Sequence, residues 1–245
     1  MVRAIDFFKL FFTDILMEQI CLHTNSYGWM KIVDKPYYGD NAGAWKETSE
    51  EEIALLIAII LYFGVVNVSS FHRYWSTKAL YHGLSSREIM KRDRFKALMG
   101  MLHVVHPNNE DEHDKLRKVS GFLNSFKETC KLLYQPFQHV AVDEMMVKSK
   151  HRSRIRQYIK NKPTKWSIKL WVLADNANCY TYDFNVYTGR RSEEECSENG
   201  LGYDVVTKLS HPLENQGYHL YFDNFYTSPT LVKDLYSVQI YAVER

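Results

Sequence analysis

The chain has 245 residues, a formal net charge of +2, 45% hydrophobic and 14% aromatic content, enough apolar material for a packed core, which excludes wholesale disorder. Its four cysteines (Cys21, Cys130, Cys179 and Cys196) form no CxxC pair, which argues against a zinc ribbon or a dense disulfide framework and fits free thiols in an intracellular protein. The longest apolar run, "IALLIAIILYF" at 53–63, falls well short of the roughly 20 residues of a membrane span, and Asp6, Lys9 and Asp14 interrupt the apolar N-terminus where a signal peptide needs an unbroken run.

The first half has helical periodicity. Residues 5–22 place Ile5, Phe8, Phe12, Ile15, Leu16 and Ile20 near one stripe and predict one helix. "SEEE" at 49–52 is a capping-box signal, Ser49 with Glu52, ahead of the apolar run. "SSRE" at 85–88 repeats it before a second apolar helix, with Ser86 taken as a cap. "HPNNEDEHDK" at 106–115 is a polar loop, and a further helix is expected over 116–134. His103 and His106, spaced to share a helix face, and His113 invite a metal reading. No cysteine or other clustered ligand completes the set, so a helix end and an acidic loop account for them better.

At "YQPFQH" (134–139) the pattern breaks, and the domain boundary is expected there: a helical region over 1–135 and a sheet-containing core over 136–245. Strands are predicted at 139–147, 166–175 and 179–189, the last two joined by Asn176, Ala177 and Asn178. A helix over 202–210, a strand at 219–223, a helix from Ser228 and Pro229, and a strand at 239–243 follow. The fold class is α+β. Three meandering strands, then helix, strand, helix, strand, is the order of an RNase H-like core, in which the first strand is central and the fourth lies beside it.

Asp143 in "VAVDEMM" and Asp223 in "LYFDNFYTS" would then face each other. Two carboxylates suit a hard divalent cation, Mg²⁺ or Mn²⁺, and phosphodiester chemistry. Spacing alone favours a capped turn or a structural ion pair over a metal site. A carboxylate ending a buried strand is costly unless its charge is met. Glu144 points to the opposite face by strand alternation and is not counted as a ligand. The charge pattern is local: residues 148–169 hold nine Lys or Arg and no acid, which against the net +2 leaves −7 on the rest. Lys148, Lys150, Arg152, Arg154, Arg156, Lys160, Lys162 and Lys165 therefore stand out as contacts for nucleic acid, on a hairpin arm or sheet edge. Tyr158 or Trp166 suits stacking on an unpaired base, with core packing favoured for Trp166.

These residues also carry a family resemblance. "VDEMMVKSKHRSRIRQYIKNKPTKWSIKLWVLAD" (142–175), "YTYDFNVYTGR" (180–190) and "LYFDNFYTSPTLVKDL" (220–235) resemble piggyBac-type transposases and piggyBac transposable element-derived proteins. "TNSYG" (24–28), "YWS" (74–76), "RDRFKALMGMLH" (92–103) and "DKLRKV" (114–119) resemble the family in the same order. Ser167 and Cys179 depart from it, standing where glycines are expected, and a glycine-requiring turn would be strained at Cys179.

The resemblance implies a cut-and-paste DNA transposase with a helical dimerisation and DNA-binding region and an RNase H-like catalytic core. Three aspartates would hold two metals, with Asp143 and Asp223 as the first two and the third beyond Arg245. The core is thus expected to be C-terminally truncated and to hold Mg²⁺ or Mn²⁺ weakly. The expected partners are double-stranded DNA and a second copy of the chain, with no membrane and no small-molecule cofactor, and the expected location is the nucleus. Two functions remain open: metal-dependent DNA cleavage and strand transfer, incomplete or inactive as given, or a non-catalytic domesticated DNA-binding and interaction protein.

Overall fold

A computed structural model describes residues 3–37, 45–78, 81, 86–111, 113–149, 153–160, 165–189 and 197–244. The chain divides into two compact units, residues 1–123 and 124–245.

The first unit is helical. The stripe over 5–22 forms two helices rather than one: α1 (Ala4–Phe11) and α2 (Asp14–Asp34). The break falls at Thr13, which has extended backbone and whose hydroxyl accepts the Leu16 N–H, so a fresh N-cap starts inside an apolar stripe. Helix α3 (Glu50–Val65) begins as expected at Ser49, which accepts the Glu52 N–H. The Glu52 side chain does not complete a capping box; it takes a forked pair from Arg94, at 2.8 and 2.5 Å, and the Thr48 hydroxyl at 2.8 Å.

The second apolar helix is also broken, into α4 (Ser86–Ile89) and α5 (Arg92–Met101). Ser86 lies inside α4, fully buried, and its hydroxyl finds no partner among the described residues, so it is no cap; Ser85 lies outside them. Leu56, Ile59, Phe95, Leu98 and Met101 form one core cluster with Trp45 and Met90; Leu16, Met17, Ile20 and Ile53 form a second. Gly28 on α2 lies against the Trp45 indole, where a Cβ would come within 2.2 Å of ring atoms. Helix α6 (Ser120–Leu133) follows, most of it in the second unit.

The second unit holds a mixed six-stranded sheet. Its strands are β1 (His139–Lys148), β2 (Arg156–Tyr158), β3 (Trp166–Asp175), β4 (Thr181–Val186), β5 (His219–Phe222) and β6 (Tyr241–Glu244). The order is β2-β3-β1-β5-β6, with β4 also pairing β3. β1 and β3 are antiparallel; β1, β5 and β6 are parallel. The expected central first strand with the returning strand beside it is present. The three-residue β2 is an addition to the predicted order. Helices α7 (Leu201–Ser210) and α8 (Pro229–Ser237) supply Val205, Val206, Leu209, Leu231 and Leu235 to a core with Val140, Val142, Leu173, Leu220 and Phe222. Alternation turns Ala141, Asp143, Met145 and Val147 to the other face of β1.

Candidate active site

The parallel β1–β5 ladder pairs His139 with His219, Val140 with Leu220 and Ala141 with Tyr221. The same register, carried two residues on, brings Asp143 level with Asp223, directly after β5. Neighbouring strands lie about 4.8 Å apart, so the two carboxylates start from adjacent positions on one face. Both line a cleft of about 210 Å³ with Ala141, Val142, Tyr221 and Phe222. Oδ1 of Asp143 accepts the Glu144 N–H at 2.7 Å, and Oδ1 of Asp223 accepts the Asn224 N–H at 2.7 Å. The second oxygen of each is left for another partner, and no Lys or Arg among the described residues forms an ion pair with either.

Both aspartates are exposed. The expected penalty for a charge ending a buried strand therefore does not arise: β5 is buried up to Phe222, and the chain emerges at Asp223. Two exposed carboxylates that form no ion pair among the described residues, offering oxygen alone, fit a hard divalent cation. Among the described residues no group of three or more His, Cys, Asp or Glu side chains comes together to hold a metal.

Glu144 lies on the opposite face, as alternation requires, and pairs with Lys169. The Lys169 ammonium is 5.3 Å from the Trp171 ring centre, 5.7 Å from that of Tyr187 and 5.9 Å from that of Phe225. This largely buried pair links β1 to β3 across one face. Tyr226 follows Asp223 closely, but metal-assisted phosphoryl transfer needs no tyrosine nucleophile, and the sequence does not foretell the burial of this side chain. The turn after Asp223 closes with the Tyr226 N–H donating to the Asp223 carbonyl at 2.9 Å and carries the side chain into the core. Its hydroxyl is buried and finds no partner among the described residues. Burial first, and then the charges of Glu144, Asp143 and Asp223, push the phenol well above its ordinary range, so it stays protonated.

The basic block lies along the outer edge of the sheet. Lys148 ends β1, Arg154 and Arg156 enter β2, and Lys160 and Lys165 flank the β2–β3 connection, which the Ile159 N–H closes onto the Lys165 carbonyl at 2.8 Å. Lys148, Arg154, Lys160 and Lys165 are exposed and Arg156 is half-buried. Lys150, Arg152 and Lys162 lie outside the described residues. Trp166 is 47% exposed, which overturns its assignment to the core.

The histidines of the first unit follow the bland reading. α5 ends at Met101, so His103 and His106 do not share a helix face. His103 is buried, stacked on Tyr27 at 3.8 Å and bonded through Nε2 to Glu110 at 3.1 Å; His106 Nδ1 accepts the Asn108 N–H. At the departures from the family pattern, Cys179 has φ 60°, the left-handed region, and Ser167 is buried with a hydroxyl that finds no partner among the described residues.

A family model described as "Transposase IS4" matches residues 3–243. Human piggyBac transposable element-derived protein 3 is 28% identical over 235 residues, 94% of this chain and 37% of that protein. The chain belongs to the piggyBac family of DDE transposases. Human piggyBac transposable element-derived protein 2 is 23% identical over 96% of this chain and 38% of its own length. Among solved structures, a piggyBac transposase synaptic complex with hairpin DNA superposes with a TM-score of 0.79 at 27% identity, over 97% of this chain and 49% of that one. The chain thus spans well under half the length of the two human relatives and about half of the solved transposase. A piggyBac transposase-derived domain, helical first and RNase H-like second, accounts for the whole described fold.

Proposed function

We propose that this chain acts on double-stranded DNA through the Asp143–Asp223 face, as part of a metal-dependent phosphodiester-cleaving and strand-transferring machinery. The observation that carries the reading is the shared register of β1 and β5, which sets two exposed carboxylates side by side on one face of an RNase H-like sheet. When bound, a divalent cation there supplies Lewis-acid stabilisation of phosphate charge and a more acidic water. The chain's own part is to hold both carboxylates level, with backbone N–H groups of Glu144 and Asn224 fixing one oxygen of each. The exposed lysines and arginines at the β2–β3 edge suit phosphate contacts, which position a duplex without reading its sequence. The solved relative was captured with hairpin DNA, which favours the same kind of ligand here. A protein that works on chromosomal DNA is expected in the nucleus, which imaging of a tagged full-length protein checks.

The test is Mn²⁺ titration followed by water-proton relaxation, alongside nicking of supercoiled DNA. Wild type is expected to bind Mn²⁺, and Asp143→Asn or Asp223→Asn to lose most of that binding. Nicking lost in the same variants supports the enzyme. Salt-sensitive DNA binding unaffected by Asp143→Asn, with neither Mn²⁺ binding nor nicking in wild type, would refute the metal site and leave a non-catalytic DNA-binding domain.

A further inference from the structure

The free edge of the sheet holds a feature that phosphate contact does not explain. Tyr158 and Trp166 sit directly opposite one another in the β2–β3 ladder, their ring centres 4.9 Å apart and their planes tilted by 55°. They are 52% and 47% exposed. The Arg156 guanidinium carbon lies 4.3 Å from the Trp166 ring centre, a cation–π contact that helps fix the indole. Two large aromatic rings, one on the edge strand β2 and one on its neighbour β3, left half in water, forgo the stabilisation that burial would give.

The face and the charge of this pair narrow its occupant. The register pairs Asp143 with Val172, Met145 with Leu170 and Val147 with Ile168, and then Ile168 with Arg156 and Trp166 with Tyr158. Directly paired residues share a face, so Tyr158 and Trp166 lie on the face of Asp143. Trp166 follows in the ladder about six β1 residues from Asp143, a separation of about 20 Å at about 3.3 Å per residue. Exposed Met145 and Val147 lie between. From 145 to 174 the sequence contains no Asp or Glu, and Arg154, Lys160 and Lys165, close to the pair in sequence, carry exposed positive charge. An apolar protein partner is poorly served by that charge; a polyanion with flat apolar faces is well served. In duplex DNA those faces are already stacked, whereas an unpaired base has one to offer.

We propose that Trp166 and Tyr158 form a stacking site for an unpaired nucleobase, so that this edge grips single-stranded DNA next to the duplex held by the basic residues. The inference rests on the DNA-binding reading above and adds to it a preference for unpaired bases. Stacking on an aromatic side chain amounts to about a 5- to 100-fold effect on affinity per base.

The experiment measures fluorescence anisotropy of the full chain with two labelled DNAs: a blunt duplex, and the same duplex with a four-thymine 3′ overhang. Wild type is expected to favour the overhang DNA about tenfold. Trp166→Ala and Tyr158→Ala should remove that preference while changing blunt-duplex affinity less than about twofold, with the salt slope intact, because no phosphate contact is lost. Trp166→Phe should retain most of the preference and Trp166→Leu should not, which separates ring stacking from apolar bulk. Lys148→Ala with Lys165→Ala should weaken both DNAs together and flatten the salt slope. The proposal is overturned if wild type binds both DNAs equally, or if Trp166→Ala weakens both to the same degree. It is also overturned if Trp166→Ala instead abolishes self-association in sedimentation, which would assign the face to a second copy. Failure of wild type to bind either DNA would remove the DNA-binding reading itself; loss of the overhang preference alone would leave that reading standing.

Discussion

Asp175 is the side chain on which the joints of the second unit converge. It is buried at the end of β3, and its carboxylate accepts the Tyr134 hydroxyl, the Phe137 N–H and the Ala177 N–H, each at 2.7 Å. One carboxylate thereby ties the segment entering β1, the end of β3 and the Asn176–Asn178 turn. Burial alone pushes its pKa up; the bonds from Phe137, Tyr134, Ala177 and Asn178 outweigh that and hold it below the ordinary value. Hydrogen bonds to a charged group are worth about 1.5–3 kcal/mol each. Asp175→Ala also removes the desolvation cost of the charge, and Ala177 is exposed, so its N–H can regain water. The expected net loss is about 3 kcal/mol, near the lower end of values for breaking a buried charged cluster. For a chain of this size that corresponds to a fall in Tm of roughly 9 °C. Asp175→Asn keeps the shape but turns an amide NH₂ toward a donor, for a loss of about 1–2 kcal/mol. The pH dependence has a definite sign. A carboxyl with a depressed folded pKa contributes stability that is complete above its unfolded value, about 3.9, and is lost as pH falls through the folded value. Urea unfolding followed by circular dichroism should therefore show a constant gap between wild type and Asp175→Asn above about pH 5 that narrows toward pH 3. A loss below about 1 kcal/mol for Asp175→Ala, or a gap unchanged by acid, would refute the assignment of this carboxylate as a charged tie.

Two further substitutions test the backbone. On an open helix face Gly→Ala stabilises by about 1 kcal/mol, but at Gly28 the new methyl would meet a buried indole, so a net loss of about 1–3 kcal/mol is expected in thermal melts, and a stabilised variant would contradict the Gly28–Trp45 contact. Cys179→Gly should act in the opposite direction: relief of a left-handed conformation, about 1–2 kcal/mol, exceeds the greater chain entropy of glycine, about 0.5–1 kcal/mol, so Tm should rise by a few degrees whereas Cys179→Ala should leave it flat.

The sheet was legible because its longer strands carry period-two or continuous apolar patterns bounded by turn residues. β3 falls on its predicted span, β1 ends one residue past its own, and the helix expected from Ser228 and Pro229 starts at Pro229 with Ser228 as its N-cap. β2 was invisible for a physical reason: "RQY" is too short and too polar to show alternation, and only the ladder to β3 makes it a strand. The helix break at Thr13 was hidden by the apolar stripe that runs through Phe12, where local capping prevailed over periodicity. Trp166 was misplaced because tryptophan in an apolar strand is usually core, but β3 begins there beside the three-residue β2, and the indole stays about half exposed. Glu144 was placed correctly because alternation is a strong constraint on a ten-residue strand. The burial of Tyr226 could not be read, since a turn, rather than a periodic element, swings it inward.

Asp143 and Asp223 show what identity and position each contribute. Their residue type suggested oxygen ligation, but their spacing in sequence means nothing until β1 and β5 pair in parallel at a fixed offset. The fold, once formed, asks nothing of their charge, because both carboxylates face solvent. That separates their chemistry from stability. Neutralising one of two adjacent like charges removes repulsion rather than a tie, so Asp143→Asn should unfold at the same temperature as wild type or slightly above it, unlike the Asp175 variants. Added Mn²⁺ should raise Tm only in the wild type, by mass action, about 1.4 kcal/mol at tenfold excess over the dissociation constant. A metal-independent collapse of Asp143→Asn would place Asp143 among the structural carboxylates and remove the basis for reading this face as a cation site.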